Sequence, residues 1–293
     1  MERKTIAVVG LGLIGGSLAM ALRGFEDYQI VGVARRRETV DYANVHGVGD
    51  TATTEVKEVL SRADVTWLCL PPQGILDFLA AYLGDFKPGS LVTDVCGVKT
   101  AIVDGAKRLP PSVDFIGCHP MAGKEVSGIA HAEGSLFRNA HFIITPQPGN
   151  TTEHLELMKR MGEYMGFRDV VTATPEQHDA IIAYTSQVMH VMAAAVCDDP
   201  DLFDCKGFEG GSFRDCTRVA ALDVPLWTEL FSLNAPALCR VIQTLENNLR
   251  AYREAIECGD REALAAKLEH SASRKRQMNL EGPPRGDSYK PEG

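Results

Sequence analysis

Val8-Val9-Gly10-Leu11-Gly12-Leu13-Ile14-Gly15-Gly16-Ser17-Leu18-Ala19 decides the fold. An apolar strand runs into G-x-G-x-x-G and then into a helix, the context in which this spacing binds a dinucleotide. Gly10 makes the tight turn, Gly12 lets backbone amides approach a pyrophosphate, and Gly15 lets the helix pack close on the strand. Leu13 and Ile14 open that helix, whose unpaired N–H groups and dipole favour an anion. A βα turn without a cofactor is the plainer alternative. Residues 5–22, uncharged and preceded by Glu2-Arg3-Lys4, also imitate a secretory leader. Four glycines in that run argue against a leader, as does a second strand-like segment at 29–34, at the spacing of a βαβ unit.

Outward from this turn, strand-like runs at 5–9, 29–34, 65–70, 90–95, 114–118 and 142–145 alternate with helical patterns at 15–22, 54–61, 74–82 and 99–107. That alternation predicts an α/β, Rossmann-like, doubly wound parallel sheet. An amphipathic helix at 151–165 and a further strand at 169–173 follow. Thr174-Pro175-Glu176-Gln177 then has the form of a helix start, and the chain becomes helical, with further helices at 225–233, 235–258 and 261–278. The expected division is a nucleotide-binding domain at 1–172, an all-α domain at 173–280 and a disordered tail at 281–293.

A chain of 293 residues with 45% hydrophobic and 24% charged residues has the composition of a soluble globular protein. No apolar run after residue 22 is expected to approach membrane-spanning length. The net charge of −9 argues against nucleic-acid binding, so an anionic ligand needs local positive charge. The eight cysteines include no C-x-x-C pair and no zinc-ligand spacing, which suits reduced thiols in the cytoplasm and no metal.

Where the second strand ends, an NAD-binding protein usually places an acid for the ribose 2′-hydroxyl. Here the chain reads Ala34-Arg35-Arg36-Arg37. Guanidiniums in place of a carboxylate suit a 2′-phosphate, so NADP is expected ahead of NAD, with Arg35 and Arg36 as its ligands. A solvated basic turn is the alternative. At the end of the strand at 90–95, Asp94 and Lys99 in Asp94-Val95-Cys96-Gly97-Val98-Lys99 are expected to face the cofactor crevice, though Lys99 also reads as a surface residue at a helix start.

His119, in Cys118-His119-Pro120-Met121-Ala122-Gly123, stands at a strand's carboxyl end on the same side as the glycine turn. An imidazole there can take a proton from an alcohol while hydride leaves the adjoining carbon. Ser186 and His190 lie four apart on one helix face, and so do Arg214 and Arg218 in Gly210-Gly211-Ser212-Phe213-Arg214-Asp215-Cys216-Thr217-Arg218. The arginines read either as a carboxylate clamp or as surface pairs to Asp215, Asp223 or Glu229.

With these stretches, together with Thr174 through His178-Asp179 and Ser186-Gln187-Val188-Met189-His190, the sequence resembles the prephenate/arogenate dehydrogenase family of tyrosine biosynthesis. The resemblance implies a homodimer joined through the C-terminal helices and oxidative decarboxylation of a cyclohexadienol that carries two carboxylates. It also implies that His119 accepts the ring hydroxyl's proton and that Arg218, with Arg214 alongside, binds a substrate carboxylate. His190 would contact substrate, with Glu125 and Trp227 lining the site. Many members carry serine where this chain has Gly97, and their first histidine of the Ser-His-Leu-Pro-His stretch is Gln187 here. The β-hydroxyacid dehydrogenases, which use a lysine on the long helix, fit less well, since residues 176–197 contain none. A non-catalytic NAD(P) sensor is the remaining alternative; loss of His119 or Arg218 would have favoured it, and both are present.

Overall fold

The structure, a computed structural model, describes residues 3–281. Its centre is a sheet in the order β3-β2-β1-β4-β5-β6-β7-β8. The strands are β1 (Lys4–Val9), β2 (Tyr28–Val33), β3 (Thr51–Thr53), β4 (Val65–Leu68), β5 (Leu91–Asp94), β6 (Asp114–Pro120), β7 (His141–Thr145) and β8 (Asp169–Thr172). The first six run parallel, as the alternation predicts. Successive residues of one strand point to opposite faces. Thus Ile6, Val8 and Trp67 join one buried cluster, while Ala7, Val9 and Leu68 join the other. Helices α1 (Leu13–Ala21) and α6 (Thr152–Tyr164) cover the first face. The second is covered by α3 (Val56–Arg62), α4 (Pro72–Ala81) and α5 (Thr100–Ala106).

Two departures from the sequence reading have physical causes. Helix α2 (Arg37–His46) and strand β3 lie where no element is expected, because α2 buries only Val40 and Ala43 and β3 buries nothing fully. Thin apolar periodicity leaves little to read. Strand β7 pairs antiparallel to β6, and β8 then runs parallel to β7. Residues 121–140 supply no crossover helix, only a short 3-10 turn at Ile129–His131. This connection leaves and re-enters the sheet at one end, that of the carboxyl termini of the parallel strands. It rests on α1, where Glu133 donates its N–H to Ser17 Oγ at 2.9 Å. A loop is thereby held beside the dinucleotide turn.

The helical half starts where Thr174 and Gln177 form a reciprocal capping box. Helix α7 (Pro175–Ile182) passes through a π-helical turn at Ala183–Gln187 into α8 (Val188–Cys197). Then come α9 (Gly211–Thr217), α10 (Val224–Leu233), α11 (Ala235–Glu257) and α12 (Arg261–Glu281). The continuous helix Pro175–Cys197 has 23 residues and contains an 18-residue stretch of mean hydropathy 1.5, enough by length and composition to cross a membrane. This corrects the expectation that no run after residue 22 approaches that length. The same helix buries His178, Asp179 and Gln187, whose hydrogen bonds tie it to the sheet half and to α10 and α11. The tail expected at 281–293 lies outside the described residues, apart from the helical backbone of Glu281.

Candidate active site

A cleft of about 700 Å³ opens between the carboxyl ends of β1, β4, β5 and β6 and the helices α8 and α10. On the sheet side it is lined by Gly12, Leu13, Ile14 and Gly15, with His119 further along. Facing them are Ser186, His190 and Trp227, and Glu125 stands on the loop after β6.

The three glycines of the turn do different work. Gly10 has φ +96°, and a Cβ there would lie 2.3 Å from the carbonyl oxygen of Cys69. A Cβ on Gly15 would lie 1.9 Å from the carbonyl oxygen of Gly10. Both contacts are with backbone, which cannot swing away. Around Gly12, by contrast, a Cβ meets nothing within 4 Å. That space lies at the N-cap of α1, where no side chain caps the helix and the first turn holds no acid. Free amide donors beside open space suit a pyrophosphate.

Arg35 and Arg36 follow β2, both exposed, and make no side-chain hydrogen bond or ion pair among the described residues. Arg37 is held by Asp41 at 3.0 Å.

Asp94 and Lys99 do not face the crevice. Both are fully buried and form an ion pair, so neither the cofactor-contact reading nor the surface reading of Lys99 describes its place. Lys99 Nζ also donates to the Cys118 carbonyl at 2.6 Å, while Asp94 accepts from the Cys96 N–H at 2.8 Å. A buried charge needs such partners, and these lock the ends of β5 and β6 together below His119.

His119 is half-buried in the cleft wall. Its Nδ1 lies 2.9 Å from His178 Nε2, and His178 Nδ1 lies 2.8 Å from Asp179 Oδ1. The Asp179 carboxylate accepts N–H bonds from Lys99 at 2.7 Å and Thr100 at 2.8 Å. Burial works to raise its pKa, but the hydrogen bonds from His178, Thr100 and Lys99 outweigh that and keep it low. Desolvation, then His178 and Lys99, pushes His119 well below the usual histidine value. Desolvation also lowers the pKa of His178, against the opposing hydrogen bond to Asp179. At neutral pH His119 is therefore an uncharged base. A Cβ on Gly97 would lie 3.7 Å from His119 Cε1 and 3.8 Å from Nε2, ordinary contact, so a serine has room here.

Across the cleft, His190 stacks on Trp227 with ring centroids 3.6 Å apart, and its Nδ1 donates to the Ser186 carbonyl at 3.1 Å. Desolvation is the main cause of its lowered pKa, and Arg218 adds to it. Arg218 pairs with Glu125 at the cleft rim. Arg214 does not join it: helix α9 ends at Thr217, and the Arg214 guanidinium donates to the Glu209 carbonyl at 3.2 Å. Neither arginine makes the surface pairs open to it. Asp223 instead caps α10, and Glu229 accepts from the Gln73 N–H.

The residues that sequence reasoning gave no role are His178 and Asp179. Their signal was present: a histidine and an acid adjacent at the start of a strongly apolar helix. Only the packing of α7 against α5 and β6 shows where they point.

The family model described as prephenate dehydrogenase, nucleotide-binding domain, matches residues 18–171, and its dimerization-domain counterpart matches 174–270. The chain is 30% identical over 274 residues to cyclohexadienyl dehydrogenase of Zymomonas mobilis, covering 91% of this chain and 92% of that one. Prephenate dehydrogenase from Aquifex aeolicus, solved with hydroxyphenyl propionate and NAD+, superposes with a TM-score of 0.84 at 28% identity, covering 94% of this chain and 99% of that one. Arogenate dehydrogenase from Synechocystis does so with a TM-score of 0.80 at 31% identity, covering 94% and 100%.

Proposed function

The chain belongs to the prephenate dehydrogenase family and is an NAD(P)-dependent oxidoreductase, and from that premise we propose that it oxidatively decarboxylates prephenate to 4-hydroxyphenylpyruvate. The observation that carries this reading is an uncharged histidine, His119, set between the dinucleotide turn and a rim holding Arg218. When bound, the nicotinamide supplies the acceptor for a hydride.

His119 Nε2 takes the proton of the substrate's ring hydroxyl. The C–H electron pair on the same carbon leaves as hydride, the ring carboxylate departs as carbon dioxide, its bonding pair completes the aromatic ring, and the imidazolium returns the proton to the resulting phenolate oxygen. Aromatisation supplies the driving force, so the protein needs to orient its reactants and accept one proton. Arg218 binds a substrate carboxylate with its planar fork, exchanging Glu125 for the ligand. His190, stacked on Trp227, directs its free Nε2 toward the substrate, and Ser186 holds that ring.

Arg35 and Arg36, unpaired beyond β2, support NADP+ ahead of NAD+. Arogenate is the second substrate reading, favoured by the likeness to the Synechocystis enzyme. We further assign the protein to the cytoplasm, as a homodimer. Ile181, Tyr184 and Met192 are exposed on the long helix, within the part that matches a dimerization domain, and a second copy would cover them. Steady-state kinetics of prephenate and arogenate, each with NADP+ and NAD+, test the assignment. The expected order puts prephenate with NADP+ highest in kcat/KM. A higher value with arogenate replaces the substrate, a higher value with NAD+ replaces the cofactor, and no turnover of either acid removes the reading.

A further inference from the structure

We infer that His178 and Asp179 are positioning residues that hold His119 in a single tautomer, protonated on Nδ1 with the Nε2 lone pair facing the cleft. The inference rests on His119 being the base of the proposed reaction, and follows from counting donors along three side chains.

The chain of bonds can be read from its far end. Asp179 is an ionised carboxylate, already accepting from two backbone N–H groups, and has no proton to give. His178 Nδ1, 2.8 Å from Asp179 Oδ1, must therefore carry the hydrogen between them. A neutral imidazole has one N–H, so His178 Nε2 is an acceptor. His119 Nδ1, 2.9 Å away, is then the donor, and the one remaining nitrogen of His119, Nε2, is bare. Every link is forced once the first is fixed. The ionised state of Asp179 is secured by its place at the start of α5, where the N–H groups of Lys99 and Thr100 point at it.

The arrangement is rigid. His178 is 1% exposed and Asp179 5%, and the Asp179 carbonyl accepts from Asn234 Nδ2 at 2.9 Å. Asn234 also donates to Gln187 at 2.7 Å, and Gln187 donates to the Leu230 carbonyl at 3.3 Å. A buried polar network therefore joins the base on β6 to α7, α10 and α11. The charged groups around His119 are Asp179 behind His178 and the buried Lys99–Asp94 pair beneath. When Nε2 gains the substrate's proton, the imidazolium keeps its Nδ1–H bond to His178, and Asp179 offsets the new charge without itself being protonated. No protein group hydrogen-bonds Nε2 among the described residues, so where relatives carry serine at position 97 this chain selects the tautomer from the Nδ1 side alone.

The experiment is nitrogen-15 NMR of the full chain with labelled histidine, above the pH at which His119 charges, with the resonance assigned by its loss in His119→Asn. The expected spectrum shows His119 protonated on Nδ1 and bare on Nε2. In Asp179→Asn the charge behind the pair is lost, and whichever way the amide turns its NH2 meets the N–H of Lys99 or of Thr100, so the hold on His178 loosens. There kcat falls by about a hundredfold or more while KM for the substrate moves less than about threefold. His178→Gln keeps an acceptor oxygen for Nδ1 and retains kcat within about tenfold, whereas His178→Leu does not; a packing role alone would make the two fall alike. An Nε2–H signal in the unsubstituted chain overturns the inference, and so does equal loss in the Gln and Leu variants. If Asp179→Asn fails to fold, the unsubstituted spectrum and the His178 pair decide. The spectrum needs no substrate: Nδ1–H in a protein that oxidises neither acid removes the proposed reaction and leaves the tautomer assignment standing.

Discussion

The two walls of the cleft are built on opposite principles. The sheet wall keeps its shape in backbone and buried charge: the Gly10–Gly15 contact, the Lys99–Asp94 pair and the His178–Asp179 support behind His119. The helical wall presents side chains that water reaches: Arg218, more than half exposed, pairs with the equally accessible Glu125 of the loop after β6, and Arg214 is turned away. A wall made of packed backbone places atoms to within tenths of an ångström, and changing it disturbs the fold. A wall of exposed side chains adapts to its ligand, and changing it costs binding while the fold stands.

The largest expected break in this contrast comes from His119, the sheet-wall side chain proposed as the base. His119→Asn should lower kcat by at least about a hundredfold while dinucleotide affinity, measured by fluorescence titration, stays as it was. Near-normal turnover would take His119 out of the chemistry. On the helical wall, Arg218→Ala should raise KM for the substrate by at least about tenfold, with thermal stability changed by no more than about 0.5 kcal/mol. A large loss of stability instead would make Arg218 structural and erase the contrast.

Within the glycine turn the contrast narrows to two neighbouring positions. Gly15→Ala drives a methyl into backbone and should destabilise the protein by about 1–3 kcal/mol, visible in a melt without cofactor. Gly12→Ala meets no atom, so the melt should be unchanged while dinucleotide affinity falls by about tenfold or more. Equal melts for both would show that the turn relaxes more than its packing implies.

The smallest effect is that of pH. His119 and His178 both have lowered pKa values in the folded protein. Unfolded, they bind protons near pH 6.5. As pH falls below about 6.5 the unfolded state takes up protons that the folded state refuses, so stability declines. The decline should be shallower in His178→Gln, which lacks one of the two groups. A melting temperature indifferent to pH between 7 and 5 would contradict the direction of these shifts.

Much of this was legible in the sequence because it is local. A strand, G-x-G-x-x-G and a helix follow one another within twenty residues, and the capping box at Thr174 lies within four. The period-2 and period-3.6 patterns are equally local, and predict the main strands and helices. The elements that escaped, α2 and β3, bury too little to leave a pattern, and the antiparallel β7 depends on where the preceding loop returns.

The sequence by itself determined the dinucleotide fold, its helical companion and the family, since each is written in residue types at short fixed spacing. Only the tertiary structure decided which polar residues meet. It took Asp94 and Lys99 out of the crevice and into a buried pair, and it separated Arg214 from Arg218 by ending a helix between them. It also brought His178 and Asp179, 59 and 60 positions beyond His119, to the back of the imidazole. The physical reason is that spacing along one helix or strand fixes a direction only within that element. Whether a side chain points to solvent, cleft or core is set by the neighbour packed against it, and that neighbour lies far along the chain.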